Sequence, residues 1–101
     1  MFGDMMGKLQ EMKQKMEESK KRLEGISVKG FSPDKNISIE INGNRKVKAV
    51  KINPEFLKTA DSEEIEDMLI IAMNQALEQA EKVNESEMSS TARGILPNMP
   101  F

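Results

Sequence analysis

Ile37-Ser38-Ile39-Glu40-Ile41-Asn42-Gly43-Asn44 is the stretch on which the fold turns. Three isoleucines alternate with Ser38 and Glu40, and a period of two puts the isoleucines on one face of a strand. Asn42-Gly43 follows at once. Both residue types tolerate positive φ, so the pair signals a tight hairpin. The returning strand is then Arg45 to Ile52, with a less regular pattern. Val47 and Ala49 share one face, whereas Val50 and Ile52 share the other. Either a bulge resets the register or Ala49 points outward. Upstream, Ile26, Val28 and Gly30 alternate with Ser27 and Lys29 in a short strand. Phe31 to Asn36 joins it to the second, with Ser32-Pro33-Asp34 supplying turn chemistry.

A helical pattern lies on each side of these strands. Met5, Leu9, Met12, Met16, Ser19 and Leu23 are spaced 4, 3, 4, 3 and 4 apart, a heptad seam on a helix from about Asp4 to Gly25. After Asn53-Pro54, with Phe56 and Leu57 available to pack beneath the turn, Asp61 or Ser62 caps a second long helix. Its stripe of Ile65, Met68, Leu69, Ala72, Met73, Ala76, Leu77, Ala80 and Val83 is broad enough to face a sheet. From Ser89 onward small and polar residues with Pro97 and Pro100 read as a mobile tail. The expected fold class is α+β. A long N-terminal helix, a three-stranded antiparallel sheet and a long C-terminal helix form one α-β-β-β-α domain over residues 1–88, with a flexible tail over 89–101.

Charge is distributed unevenly along this plan. Residues 1–58 carry thirteen Lys/Arg against eight Asp/Glu, a net of +5, whereas residues 59–101 have nine acids against Lys82 and Arg93, a net of −7. On the first helix Lys8, Lys15 and Arg22 flank the seam on one side, and Lys13 and Lys20 on the other. Two such helices paired in parallel would oppose like charges. The arrangement suits an anionic partner. Arg45, Lys46 and Lys48 add cations on the third strand, where they either meet phosphates or guard a sheet edge.

Several classes of function are disfavoured by what the 101 residues lack. There is no His and no Cys, so the usual general base, thiol nucleophile and transition-metal ligands are missing. No glycine belongs to a phosphate-binding GxGxxG or GxxxxGK[ST] loop. The acids between Asp61 and Asp67 do not follow a calcium-loop order, and helix capping explains them. No catalytic residue, metal or cofactor is expected. No apolar run approaches the roughly 20 residues of a membrane span, and the N-terminus lacks a signal-peptide core, so a soluble cytoplasmic protein is expected. Without Trp or Tyr there is no aromatic platform for single-stranded RNA. Lys and Arg that meet duplex phosphates remain.

The order of the elements meets specific words. Met1-Phe2-Gly3 opens the chain, and Ile41-Asn42-Gly43-Asn44 leads into Val50-Lys51-Ile52-Asn53-Pro54-Glu55-Phe56-Leu57. Ala72-Met73-Asn74-Gln75-Ala76 lies in the last helix, and Leu96-Pro97-Asn98-Met99-Pro100-Phe101 closes the sequence. Over essentially its whole length the chain resembles the YbaB/EbfC family of bacterial nucleoid-associated proteins. The resemblance implies a homodimer whose sheets join in a central body while the first helices project as arms, like tweezers. It also implies binding of double-stranded DNA that alters DNA conformation, with roles in nucleoid organisation, DNA protection and gene regulation. Lys13, Lys15, Lys20, Lys21 and Arg22 fall in the family's basic first helix. The final helix departs from the family in being markedly acidic.

A thin apolar complement points independently to association. Only 38% of residues are apolar, too few to cover two long helices and a sheet in one chain. Ile37, Ile39, Ile41, Val50 and Ile52 are therefore expected in or beside a core shared by two copies. The rival reading is a protein-interaction module whose Met seam grips an apolar helix of another protein.

Overall fold

Local chemistry sets the element boundaries in the computed structural model, which describes the backbone of residues 2–95 and the side chains of residues 5–90. The order is α1 (Phe2–Glu24), β1 (Ser27–Phe31), β2 (Ile37–Asn42), β3 (Val47–Ile52), α2 (Pro54–Thr59) and α3 (Ser62–Ile95). The three strands form an antiparallel sheet in sequence order. Asn53 caps α2 by accepting from the Glu55 amide, with Pro54 where its missing N–H costs nothing. Asp61 caps α3 through its carboxylate to the Glu64 amide at 2.8 Å. The second long helix runs to Ile95, beyond the domain edge expected at residue 88. The rest of the expected tail, residues 96–101, lies outside the described residues.

The hairpin falls where Asn42-Gly43 signals it, for a different reason. Arg45 donates its amide to the Asn42 carbonyl, Asn42 donates to the Lys46 carbonyl, and the Asn42 side-chain oxygen accepts from the amides of Asn44 and Lys46. The loop's left-handed residue is Arg45, at φ 67°. Gly43 is needed for proximity instead: a Cβ there would stand 2.7 Å from a Leu23 methyl. Its amide also donates to the carbonyls of Leu23 and Ile26, so the end of α1 is stitched to the hairpin.

Both explanations for the irregular third strand hold. The β2–β3 pairing shifts so that Ile41 meets Val47 while Glu40 meets Ala49, which leaves Lys48 as the extra residue of a bulge. Val47, Val50 and Ile52 thereby share the face of the Ile37, Ile39 and Ile41 row, and Ala49 turns to the opposite face with Glu40. The β1–β2 turn is held by Ser32 and Asp34. Ser32 donates its hydroxyl to the Asp34 carboxylate at 2.6 Å and accepts from the Ile37 amide, while Lys35 takes a positive φ of 62°.

The first half of α3 lies across β1 and β2. Ala72, Ala76 and Ala80, one turn apart, are fully buried on Ile37, Ile39 and Ile41. Small side chains let the helix approach closely, and Gly30 shows how closely: a Cβ there would lie 2.2 Å from the Ala72 carbonyl oxygen. On the open edge of β1, Gln75 accepts from the Phe31 amide at 2.6 Å and occupies a donor that another strand would use.

The second half of α3 leaves the sheet and packs on α1. The result is elongated, 68 × 23 × 18 Å with a radius of gyration of 19.1 Å, against the roughly 13 Å usual for about 100 residues. A sheet-and-helix body thus continues into a two-helix arm.

Candidate nucleic-acid interface

The base of the arm is a junction of three elements. Asn44 of the hairpin donates to the Lys20 carbonyl of α1 at 2.9 Å, and Asn84 of α3 donates to the Gly43 carbonyl at 3.1 Å. Arg22 of α1 donates through Nε to the Glu87 carboxylate of α3 at 2.6 Å, and its Nη2 reaches the buried Ser19 hydroxyl at 3.1 Å. Leu23 fills the space beneath. The hairpin that carries Arg45 and Lys46 is therefore set beside the end of the basic helix.

The candidate cations differ in how free they are. Lys13, Lys20 and Lys21 are exposed on α1, and Arg45, Lys46 and Lys48 are exposed on the hairpin and β3. Among the described residues none of these six has a carboxylate within ion-pair distance. Lys15 has a loose partner in Glu11, at 3.9 Å one turn away. Arg22 is the exception. Its guanidinium is engaged with Glu87, which is only 20% exposed, so it ties α1 to α3. Sequence reading placed Arg22 with the phosphate-binding cations and missed Glu87, Asn44 and Asn84 altogether. No local pattern reports a contact between residues 22 and 87.

Apart from Glu87, the acids in the second half of α3 lie elsewhere. Glu78, Glu81 and Glu85 are exposed and share the side of the helix away from the alanine stripe. Anion repulsion is thereby kept on the outer face of α3.

The five residues expected in a shared core separate into two groups. Ile37, Ile39 and Ile41 are fully buried within one chain beneath α3. Ile52 is partly buried, and Val50 is 47% exposed on β3, as is Val47 at 46%. Because α3 hardly reaches β3, the inner face of that strand is open, and its outer edge pairs with no strand among the described residues. Met73 and Leu77, half-buried on the side of α3 that overlooks β3, extend the same apolar surface.

No group of metal-ligating side chains is found among the described residues, and no described helix is long and apolar enough to cross a membrane. Among the described residues, only Asp34 shows a clear shift in acidity. The Ser32 hydroxyl first, and then the Asn36 amide, favour its carboxylate and lower its pKa.

Fold and site define a small α+β protein with a cationic helical arm. The model of the YbaB/EbfC DNA-binding family matches residues 1–95, and the chain belongs to that family. Curated relatives are similar along nearly their whole length. One from Flavobacterium johnsoniae is 41% identical, covering 95% of this chain and 89% of its own, and one from Chlorobium phaeobacteroides is 36% identical, covering 94% and 84%. Both are described as nucleoid-associated proteins. An uncharacterised protein from Helicobacter pylori, HP0035, has a crystal structure that shares the fold. Its TM-score is 0.73 at 21% identity, over 95% of this chain and 97% of that one.

Proposed function

We propose that the protein is a nucleoid-associated protein that binds duplex DNA as a homodimer and alters its conformation, with consequences for nucleoid organisation, DNA protection and gene expression. The observation that carries this reading is the set of cations at the base of the arm that have no carboxylate partner among the described residues. Lys20 and Lys21 at the end of α1 stand beside Arg45 and Lys46 of the docked hairpin, with Lys13 further out and Glu78, Glu81 and Glu85 on another face of α3. Membership of a DNA-binding family supports it independently. Cations of this kind meet phosphates and position a duplex without reading its bases. A second copy fits at β3, where a free edge and the half-exposed Val47 and Val50 leave backbone donors and apolar surface uncovered in one chain. The body then holds two arms at a set separation, and a duplex gripped by both has to follow their geometry.

The test is a titration of duplex DNA across salt concentrations. If roughly four to eight phosphates are neutralised per dimer, log affinity falls against log salt with a slope of about −4 to −7. Binding that ignores salt would remove the electrostatic reading, and light scattering that finds a folded monomer at micromolar concentration would remove the dimer.

A further inference from the structure

Asn42 and Gly43 do more than turn the chain. Of the seven asparagines only Asn42 is followed by glycine, so no Cβ crowds the approach of the next backbone nitrogen to its side-chain carbon. Asn42 is 1% exposed, and its amide is engaged unevenly. Oδ1 accepts from the Asn44 and Lys46 amides at 2.9 and 3.0 Å, which draws electron density away from Cγ. Nδ2 is buried with no acceptor among the described residues, so nothing holds the nitrogen end. The Gly43 nitrogen, by contrast, is restrained. Its N–H donates to the carbonyls of Leu23 at 2.9 Å and Ile26 at 3.0 Å, at the end of α1.

We propose that Asn42-Gly43 is a deamidation site shielded by the docked arm, and that opening of the arm base converts it into a negative charge beside the cationic patch. The reaction needs only water. Once released, the Gly43 nitrogen gives its proton to hydroxide and attacks Asn42 Cγ. A C–N bond forms, the Cγ–Nδ2 bond breaks, and the departing nitrogen takes a proton from water and leaves as ammonia. The cyclic imide then adds water at either carbonyl, giving aspartate or isoaspartate. No electrons change hands. The bonds from Arg22 to Glu87 and from Asn44 to Lys20 hold α1 on α3 and on the hairpin, so they govern how often the nitrogen is released.

The product matters because of where it forms. An aspartate can still accept from the Asn44 and Lys46 amides, and the N–H groups it replaces had no acceptor. The hairpin keeps its bonds and gains a charge of the wrong sign next to Arg45, Lys46 and the end of α1. Weaker grip on phosphates follows, a consequence that rests on the DNA-binding reading above.

The experiment holds the full-length protein in mildly alkaline buffer and follows Asn42 by peptide mass spectrometry, with the other asparagines as internal controls. The folded chain should be modified at least about tenfold more slowly than the same chain in strong denaturant. Asn44→Ala combined with Arg22→Ala removes two ties of the arm base. It should raise the folded rate by about fivefold or more, while circular dichroism still reports a folded body. In the unaltered chain, modification and hydrogen exchange of the Gly43 amide should respond alike to mild denaturant, because both need the same opening. That comparison decides the matter even if the double variant does not fold. The proposal is overturned if folded and unfolded chains are modified at one rate, if the folded double variant keeps the unaltered rate, or if exchange and modification respond differently. Fully aged chain, with Asn42→Asp as its counterpart, should bind duplex DNA about threefold or more weakly than fresh chain at low salt. Equal affinity would overturn the effect on the patch. Fresh chain that binds no DNA would sink the functional reading and leave the modification result standing.

Discussion

Body and arm are built from the same long helix by opposite rules. Where α3 lies on the sheet, its contact residues are Ala72, Ala76 and Ala80, all fully buried, and the backbones approach until Gly30 has no room for a methyl group. Where α3 lies on α1, only Ser19 and Leu23 of the α1 seam are fully buried, and the methionines beyond remain largely open. Close packing of small groups makes the body rigid and intolerant of added volume. Among the described residues the arm is held by polar ties at its base and by the buried Ser19 and Leu23, and its seam beyond is half-buried or exposed. A firm base with an adaptable, charged extension suits a protein that must fit a long polyanion.

The contrast breaks most sharply at glycine. Gly30→Ala should destabilise by about 3 kcal/mol or more, at or beyond the upper end of ordinary overpacking, because the obstructing atoms are backbone. Gly7→Ala on the arm meets nothing within 4 Å and should stabilise by up to about 1 kcal/mol through helix propensity. Thermal melts followed by circular dichroism would show the two moving in opposite directions. Equal melting temperatures would mean that body and arm are not packed differently.

DNA affinity sharpens the comparison next. Exchanging Lys13, Lys20 and Lys21 for Gln should weaken binding by more than about tenfold at moderate salt. The log–log salt slope should become shallower by about 0.9 for each phosphate left without its cation. Exchanging Arg45, Lys46 and Lys48 should cost less yet also reduce the slope, because Asn44 holds the hairpin against the helix. If only the hairpin variant lost binding, the interface would belong to the body and the arm would need another role.

Smaller effects are expected at the joint itself. Arg22→Ala or Glu87→Gln should lower stability by roughly 1 kcal/mol, since the pair is half-shielded and closely spaced. Lys58→Ala, which removes an exposed pair with Glu55, should be nearly silent. If arginine at 22 instead contacts DNA, Glu87→Gln would leave affinity untouched while Arg22→Ala lowered it, and melting curves would not separate the two.

The smallest effect concerns acid. The folded carboxyl of Asp34 is held below its ordinary value by Ser32 and Asn36, so its contribution to stability is present above the unfolded pKa and fades as pH falls through the folded one. Asp34→Asn should therefore lower stability slightly at neutral pH, where the contribution is present, and little in acid, where it has faded, so that the acid limb of a stability–pH profile becomes flatter. An unchanged acid limb would remove Asp34 from the account.

Much of this was legible in local pattern. Alternation from Ile37 to Ile41 determined a strand and its buried face, because side chains a period of two apart cannot avoid sharing a side. The seam from Met5 to Leu23 determined a helix, and the stripe from Ile65 to Val83 determined one broad enough for a sheet. Asn42-Gly43 marked the hairpin, although the positive φ belongs to Arg45 and the glycine serves contact with Leu23. Tertiary structure alone decided the bulge at Lys48, the burial of Ile37, Ile39 and Ile41 by their own chain, the bond of Asn44 to Lys20, and the diversion of Arg22 to Glu87. Each of these joins residues far apart in the chain. Periodicity reports which way a side chain points, but what it meets there depends on how the elements are brought together.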